Sequence, residues 1–541
     1  MLIGRRFAGT AVATLALAML APRLVTKPAA VSVEERSSLG VREAVLDNGF
    51  RLLVVEDRRV PRVAARLWYR FGSMQEPNGE HGSAHFLEHV VHQGTSTVGT
   101  RDFAAERPIL DEIHRTEQQL LAEINKQRNR LRERRVFYDD TALPSTAEID
   151  ALRRKLYELE DRDDQYRDFW AEFNWYRRYG TIGYVDPVPA STEQEYLKID
   201  IDLPKENLEL FFRLEADRMA NAVLRGWEAQ RFTVLEQILN GLSRPEIRFH
   251  NALDGATGQA HPVYIPDGGH PRDFAFYNRA AMQRMYDDYF VPNNATLALV
   301  GDITIAAARE LGERYFGRVP RGPEAPARLD LEAEPVPGGT IRVDWAEPLD
   351  PRIVVRYRIP GVGHPDRPVF DTIAALVRGR FGAMGSRLTG HTSPSASVDA
   401  DFRVIHTYRF GSPGVINFTA AAQRDEDLPA VETAMLQSIA DLREGRIDPD
   451  AMARARKALR LEWEQVRLDR GRLAVELGQF AIMDRWETLE PYMAARQNAS
   501  AADIERVARE YFVPANLVVG TTRRAPVTAP QPGRRRVETN P

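Results

Sequence analysis

The sequence predicts an α+β protein made of two tandem homologous α/β domains, with a helical hairpin inserted in the first. The same unit of helix, Tyr-Phe-Val-Pro and apolar strand occurs at residues 289–300 and again at 511–520. A proline-rich stretch separates these two halves, and a densely charged segment interrupts the first. Because one unit closes both halves, we interpret the chain as a duplication.

The domain limits follow from composition. We place the first domain at residues 42–320 and the second at 340–523. Residues 321–339 hold four prolines and are interpreted as an extended linker. The basic, proline-rich tail at 524–541 is expected to be disordered.

The charged segment at residues 104–180 predicts the inserted hairpin. Apolar residues recur with helical spacing on both sides of a Leu-Pro break, and the motif Ser145-Thr146-Ala147-Glu148 predicts a capping box for the second helix. The basic run at 128–135 is interpreted as a solvated helix face rather than a binding surface for an anionic partner. The two stripes comprise Ile109, Ile113, Leu120, Leu121 and Ile124, then Ile149, Leu152, Leu156 and Leu159.

Composition excludes several classes of protein. The 541 residues carry a net charge of -4 with a pI near 6.3, so no basic face for nucleic acid is indicated. A hydrophobic content of 43% is enough for large cores in two to four domains. The chain has no cysteine, so a metal site must use histidine or carboxylate ligands.

Residues 1–30 are interpreted as a signal peptide. Arg5 and Arg6 precede an uncharged apolar run from 8 to 21, which is short for a membrane span but typical of an export signal. We therefore expect a periplasmic or secreted protein with no stable membrane span after signal removal. The alternative is an uncleaved N-terminal anchor, and the sequence leaves cleavage open.

One motif carries recognisable chemistry. His85 and His89 are four residues apart on a predicted helix, so both imidazoles can reach one ion. Glu88 can reach a water molecule on that ion and accept its proton. This H-x-x-E-H arrangement of inverted zincins predicts a metalloendopeptidase. The alternative is a solvated histidine-rich helix end, to which His81 and His92 would also belong.

The sequence resembles the pitrilysin/insulinase (M16) family of peptidases over about residues 42–523. This resemblance implies paired α/β domains, each a sheet covered by helices, with His85 and His89 as Zn²⁺ ligands and Glu88 as the catalytic base. It also implies a peptide or unfolded-protein substrate, enclosed by two such pairs of domains in a homodimer or heterodimer. The matching segments are 46–50, 72–73, Glu76, 82–89, 94–95, 261–262, 292–302 and 385–388.

The third zinc ligand departs from the family pattern. The resemblance implies a glutamate on a later helix, and an ungapped match over 230–237 places Gln237 at that position, beside Glu236. The apolar stripe of this helix leaves both residues about equally far from its centre. A neutral amide is a poor zinc ligand compared with a carboxylate. We therefore expect Glu236, or Gln237 in its place, to complete the site.

A second departure concerns the strand that pairs with substrate in the family. Pro187 and Pro189 lie where family members often have Asn-Ala-Xaa-Thr, and prolines remove donors needed for strand pairing. Two functions therefore remain open. The intact H-x-x-E-H favours a zinc endopeptidase, whereas Gln237 and the altered strand favour a non-catalytic subunit that helps an active partner to enclose peptide.

Overall fold

The computed structural model contains two mixed sheets of six strands, each covered by helices. The first sheet has the strand order β1-β2-β6-β3-β5-β4, and the second has β12-β7-β11-β8-β10-β9. The α+β fold class predicted from sequence is confirmed. The structure describes residues 38–77, 79–136, 143–167, 190–258, 268–324, 340–378, 399–401, 414–524 and 536–538.

The first half surrounds the first sheet with helices and carries the insert between β3 and β4. Its strands are β1 (Arg42–Val45), β2 (Arg51–Glu56), β3 (Arg62–Tyr69), β4 (Ala190–Thr192), β5 (Leu197–Pro204) and β6 (Ala295–Gly301). Its helices are α1 (Ser83–Val91), α2 (Phe103–Glu133), α3 (Ala147–Asp163), α4 (Leu208–Asn221), α5 (Trp227–Ser243), α6 (Pro245–Thr257), α7 (Arg279–Tyr289) and α8 (Ile305–Tyr315).

The second half repeats this arrangement without the insert. Its strands are β7 (Thr340–Pro348), β8 (Arg352–Ile359), β9 (Asp399–Asp401), β10 (Gly414–Ala421), β11 (Leu517–Arg523) and β12 (Arg536–Glu538). Its helices are α9 (Arg367–Val377), α10 (Leu428–Arg443), α11 (Pro449–Leu468), α12 (Arg470–Met483), α13 (Leu489–Asn498) and α14 (Ala501–Tyr511). In each sheet one strand pair is parallel, β2 with β6 and β7 with β11.

The repeated Tyr-Phe-Val-Pro segment has the same structural role in both halves. It turns the chain from a helix into a central strand, and an asparagine side chain fixes the turn. Asn294 Nδ2 donates to the carbonyl oxygens of Tyr289 at 2.9 Å and Arg70 at 3.2 Å. Asn516 Nδ2 donates to the equivalent carbonyl oxygens, of Tyr511 at 2.8 Å and Arg358 at 3.0 Å. The sequence repeat is therefore a structural repeat.

The predicted insert contains two helices, α2 and α3, which pack together through an apolar core of their own. The N-terminal cap of α3 is Thr146, whose side chain accepts a hydrogen bond from Ile149 N. The prediction of a capping box at Ser145 is thus wrong: the cap is one residue later, its N3 residue is the apolar Ile149, and the Ser145 hydroxyl donates to Asp150 instead. Residues 168–180 of the predicted insert lie outside the described ranges.

Each sheet is covered on one face by a helix from the other half. Helix α12 packs on the first sheet, where Leu477 and Phe480 join a cluster with Trp68. Helix α6 packs on the second sheet, where Phe249 and Leu253 join Ile341, Val354 and Val518. Because both faces of the first sheet are covered, every residue of its central strand β6 is buried.

The tail differs from the prediction of disorder over three residues. Arg536–Glu538 form β12, which pairs antiparallel with β7 at the edge of the second sheet. The predicted signal peptide, most of the predicted linker and the segments 261–262 and 385–388 lie outside the described residues. Within the ranges that the structure describes, no helix is both long and apolar enough to cross a bilayer.

The contact between α12 and the first sheet yields a prediction about packing. A Cβ atom on Gly478 would overlap the fully buried Trp68 indole, whereas one on Gly255 of α6 meets nothing within 4 Å. Gly478→Ala should lower the free energy of unfolding by about 1–3 kcal/mol through overpacking. The control Gly255→Ala should leave it unchanged or raise it by up to about 1 kcal/mol. Thermal unfolding followed by circular dichroism compares them, and equal midpoints for the two variants would contradict the assigned packing.

Candidate metal and catalytic site

Helix α1 carries the H-x-x-E-H motif and begins at a glycine with a left-handed backbone conformation. Gly82 has φ +97°, and a Cβ atom there would collide with the carbonyl oxygen of Gly268. The Glu76 carboxylate accepts hydrogen bonds from Gly82 N at 2.9 Å and Ala84 N at 2.8 Å. A carboxylate at a helix N-terminus satisfies free amides and complements the helix dipole. These contacts fix where the motif helix starts.

The two motif histidines lie together on one face of α1. The ring centroids of His85 and His89 are 4.9 Å apart. Burial lowers the pKa of His85 to about 3, with a smaller contribution from His89. Burial also lowers the pKa of His89. Both imidazoles are therefore neutral near pH 7, which is the form that binds a metal ion.

The orientation of His89 is set by Gln230 in the first turn of α5. His89 Nδ1 lies 3.0 Å from Gln230 Oε1. An amide oxygen can only accept, so Nδ1 carries the proton and Nε2 keeps its lone pair. A partner of this kind commonly fixes the tautomer of a metal-binding histidine. Sequence analysis did not single out Gln230, although it lies within the stretch 230–237 that was searched for a ligand.

Glu88 is buried beside the histidines and held by one hydroxyl group. Thr192 Oγ1 donates to Glu88 Oε2 at 2.5 Å. Burial raises the pKa of Glu88 to about 7, against the opposing effects of the Thr192 hydrogen bond and the Arg218 charge. Thr192 lies on the edge strand β4. The carboxylate is therefore held between the motif helix and the sheet edge. The two prolines of the altered segment, Pro187 and Pro189, precede this strand and lie outside the described residues.

A buried polar network lies behind Glu88. Arg218 Nη1 contacts His92 Nε2, and Arg218 also pairs with Glu215 at 3.3 Å. Since a guanidinium only donates, His92 Nε2 accepts and its Nδ1–H donates to the Glu88 carbonyl oxygen at 2.6 Å. All three network residues are nearly or completely buried. The sequence does hold a signal for them, since Glu215 and Arg218 are spaced i, i+3 on an otherwise apolar helix face.

The expected third ligand is placed elsewhere. Glu236 and Gln237 are both exposed on α5. Gln237 is seven residues beyond Gln230, or roughly 10 Å further along the helix axis. Within the described residues, no set of three His, Asp or Glu side chains is arranged to hold a metal ion. The structure thus brings together His85, Glu88 and His89, but not the residue predicted to complete the zinc site.

The ligand atoms available in this site can be compared with those that a zinc ion requires. Two neutral imidazoles on one helical face fit two positions of a tetrahedral zinc site. The tautomer imposed by Gln230 leaves Nε2 of His89 available as a ligand. The third position, which a carboxylate would fill, has no protein donor among the described residues.

The insert holds the start of α5 against the motif helix. Arg225, just before α5, forms an ion pair with Glu106 of α2 in which both side chains are fully buried. Arg279 donates to both carboxylate oxygens of Glu117, at 2.6 and 2.7 Å, and its guanidinium lies 4.9 Å from the Trp227 ring centroid. Trp227 packs edge-on against Phe86 of the motif, at 4.7 Å. A chain of contacts therefore links the insert to α1.

Two homologous halves with a buried H-x-x-E-H helix define a peptidase-like protein of two domains. The family description Insulinase (Peptidase family M16) matches residues 51–107, and the description Peptidase M16 inactive domain matches residues 277–459. Models of the M16 family thus match parts of both halves of the chain.

Curated relatives are named as zinc proteases. The chain is 18% identical over 262 residues to the zinc protease PqqE of Helicobacter pylori, covering 47% of this chain and 56% of the relative. It is 20% identical over 277 residues to the uncharacterized zinc protease YmxG of Bacillus subtilis, covering 51% of this chain and 50% of that protein. The chain thus spans about half the length of these relatives.

Solved structures share the fold. A protease from Helicobacter pylori superimposes with a TM-score of 0.66 at 16% identity, covering 89% of this chain and 99% of that one. The first half of the periplasmic protease PqqL from Escherichia coli superimposes with a TM-score of 0.64 at 15% identity, covering 91% of this chain and 94% of that one. The two-domain architecture is therefore shared across proteins of low sequence identity.

The contact between insert and α5 predicts a pH dependence. Glu160 Oε1 of α3 accepts from Glu228 N at 3.4 Å, and burial followed by repulsion from Glu228 raises the Glu160 pKa to about 7. Glu117 raises it further and Arg279 opposes. Below the unfolded-state pKa near 4.5, the carboxyl group is protonated in both the folded and the unfolded state, and burying it costs no stability through ionisation. Above about 7 it is ionised in both states, and the folded state bears the full cost of the buried charge. Stability should therefore fall as the pH rises through this window.

Glu160→Gln removes the ionisable group but keeps the acceptor oxygen. The variant should unfold at the same temperature as wild type at pH 4.5 and at a higher temperature at pH 8, as measured by calorimetry. Glu158→Gln, exposed on the same helix, serves as the control and should show no pH-dependent difference. A gain for Glu160→Gln that is equal at both pH values would contradict the assignment.

Proposed function

We propose that this chain is a zinc-dependent endopeptidase of the inverted-zincin type that hydrolyses peptides or unfolded polypeptides. The observation that carries the proposal is the single buried helix that presents two neutral imidazoles and one hydrogen-bonded carboxylate. His85 and His89 would hold the ion. A bound zinc ion supplies a water molecule of lowered pKa and polarises the scissile carbonyl group.

Each of the chain's own groups has a separate task in this proposal. Glu88 accepts the proton of the attacking water and passes it to the leaving amine. Thr192 holds the Glu88 carboxylate in place from the sheet edge. Gln230 holds His89 in the ligand tautomer. The Arg218–His92 network fixes the backbone carbonyl of Glu88 from behind. Positioning is thus built from three different elements around α1.

A second candidate is a non-catalytic M16 homologue that helps an active partner chain to enclose peptide. It is favoured by the exposure of Glu236 and Gln237, which leaves the third ligand position without a carboxylate. The peptidase is preferred because the motif residues are complete and each has a partner suited to its task. For Glu236 or Gln237 to serve as the ligand, α5 would have to shift along or rotate about its axis.

The setting of this activity is also proposed rather than established. The apolar run near the N-terminus and the fold shared with a periplasmic protease support export to the periplasm or secretion. The proposed substrate is a peptide or an unfolded protein. Its enclosure would require a second M16-like chain, in a homodimer or a heterodimer. No observation supports binding to nucleic acid.

The role of Glu88 yields a direct test. Glu88→Gln should keep the fold and the bound zinc but reduce peptide cleavage by at least about a hundredfold, because only proton transfer is lost. Glu80→Gln, in the loop before the motif helix, should retain cleavage. Turnover of a fluorogenic peptide and zinc content by atomic absorption are measured for both variants. Cleavage by Glu88→Gln within a few-fold of wild type would remove Glu88 from the mechanism.

The third ligand is tested by zinc titration of two variants. If Gln237 occupies the ligand position, wild-type affinity is weak and Gln237→Glu should raise zinc occupancy. If Glu236 is the ligand, Glu236→Ala should strip the metal while Gln237→Glu changes little. Should neither substitution alter zinc binding, both assignments fail and the ligand lies elsewhere.

A further inference from the structure

A cleft lies between the insert and helix α5, beside the contact of Glu160 with Glu228. Its volume is about 250 Å³, and it opens to solvent between α2, α3 and the first two turns of α5. This is slightly below the usual range for a drug-sized ligand, roughly 300–1,000 Å³, and suits one or two side chains. The cleft is lined by Leu120, Arg153, Leu156, Tyr157, Glu228 and Arg231.

The wall contributed by α3 offers two uncommitted hydrogen-bond donors. Arg153 and Tyr157 are spaced i, i+4 and so lie on one face of the helix. Neither side chain makes a hydrogen bond or ion pair with the described part of the chain. Tyr157 is 59% exposed, which is high for an aromatic side chain at the edge of a cleft.

The charge and floor of the cleft define what fits it. On the α5 side, Arg231 forms an ion pair with Glu228 at 3.0 Å, and the two charges cancel. Arg153 therefore gives the lining residues of the cleft a net charge of +1. The floor is formed by Leu120 and Leu156, both buried. A ligand that matches both features carries a carboxylate next to an apolar group.

We propose that this cleft binds an acidic segment of a peptide. A side-chain carboxylate would sit between Arg153 and Tyr157, and an adjacent apolar side chain would cover the two leucines. Arg231 directly follows Gln230, the partner of His89, so the bound segment would lie on the helix that contacts the zinc motif. The inference rests on the proposed function for its substrate class, since it adds a second peptide contact outside the catalytic helix.

The test compares two blocked dipeptides, acetyl-Phe-Glu-amide and acetyl-Phe-Gln-amide, titrated into the full chain by saturation-transfer NMR. The protein carries Glu88→Gln, so that no cleavage competes with binding. Because a hydrogen bond to a charged group is worth more than a neutral one, the acidic probe should bind about tenfold more tightly. Arg153→Gln should remove this preference. Arg154→Gln, which removes the same charge from an exposed neighbouring position, should retain it.

The outcomes separate this site from the catalytic proposal. Equal binding of the two probes, or a preference unchanged by Arg153→Gln, would overturn the assignment of the cleft. A preference that depends on Arg153 supports it, even if the zinc-loaded wild-type chain cleaves no peptide, a result that would contradict only the proposed peptidase. Cleavage by the wild-type chain without any probe preference would contradict only the cleft.

Discussion

Helix α1 lies between the first sheet and the first turn of α5, and this enclosure governs the chemistry of the groups that it carries. Removed from water, an imidazole resists protonation and a carboxylate resists ionisation, so each polar group needs a dedicated partner. Gln230 supplies one to His89, and Thr192 supplies one to Glu88. The buried charge of Arg218 is in turn balanced by Glu215. Most polar features of the site thus follow from the burial of one short helix.

The same enclosure explains what the insert does for the rest of the fold. Helix α5 is amphipathic only in part, since Phe232 and Leu239 remain exposed, so packing alone fixes its position weakly. Ion pairs from α2 hold the residues around its start. Glu106 pairs with Arg225 just before α5, and Glu117 pairs with Arg279, whose guanidinium lies over the Trp227 ring of α5. Displacing either partner of a buried ion pair leaves a buried charge unpaired, so these contacts tolerate little movement of the elements that carry them. The insert therefore specifies where α5 begins.

Local patterns in the sequence predicted much of the fold. The motif helix, the repeated Tyr-Phe-Val-Pro turn and the two helices of the insert were predictable because glycines, asparagines and apolar spacing act over a few residues. The placement of Gln230 against His89 was not, since it depends on how far α5 slides along α1. Pairing of Arg536–Glu538 with β7 was also missed, because it joins segments almost two hundred residues apart. Tertiary contacts decided each of these cases.

The exchange of covering helices between the halves has a consequence for how such a chain can exist. A half taken alone would expose the sheet face around Trp68 or that around Ile341, because the helix covering it is encoded in the other half. Two half-length chains could bury these faces by pairing about a two-fold axis, each covering the sheet of the other with its own helix. The present chain is in this sense a fused pair, and cutting the peptide bond between its halves would not separate them.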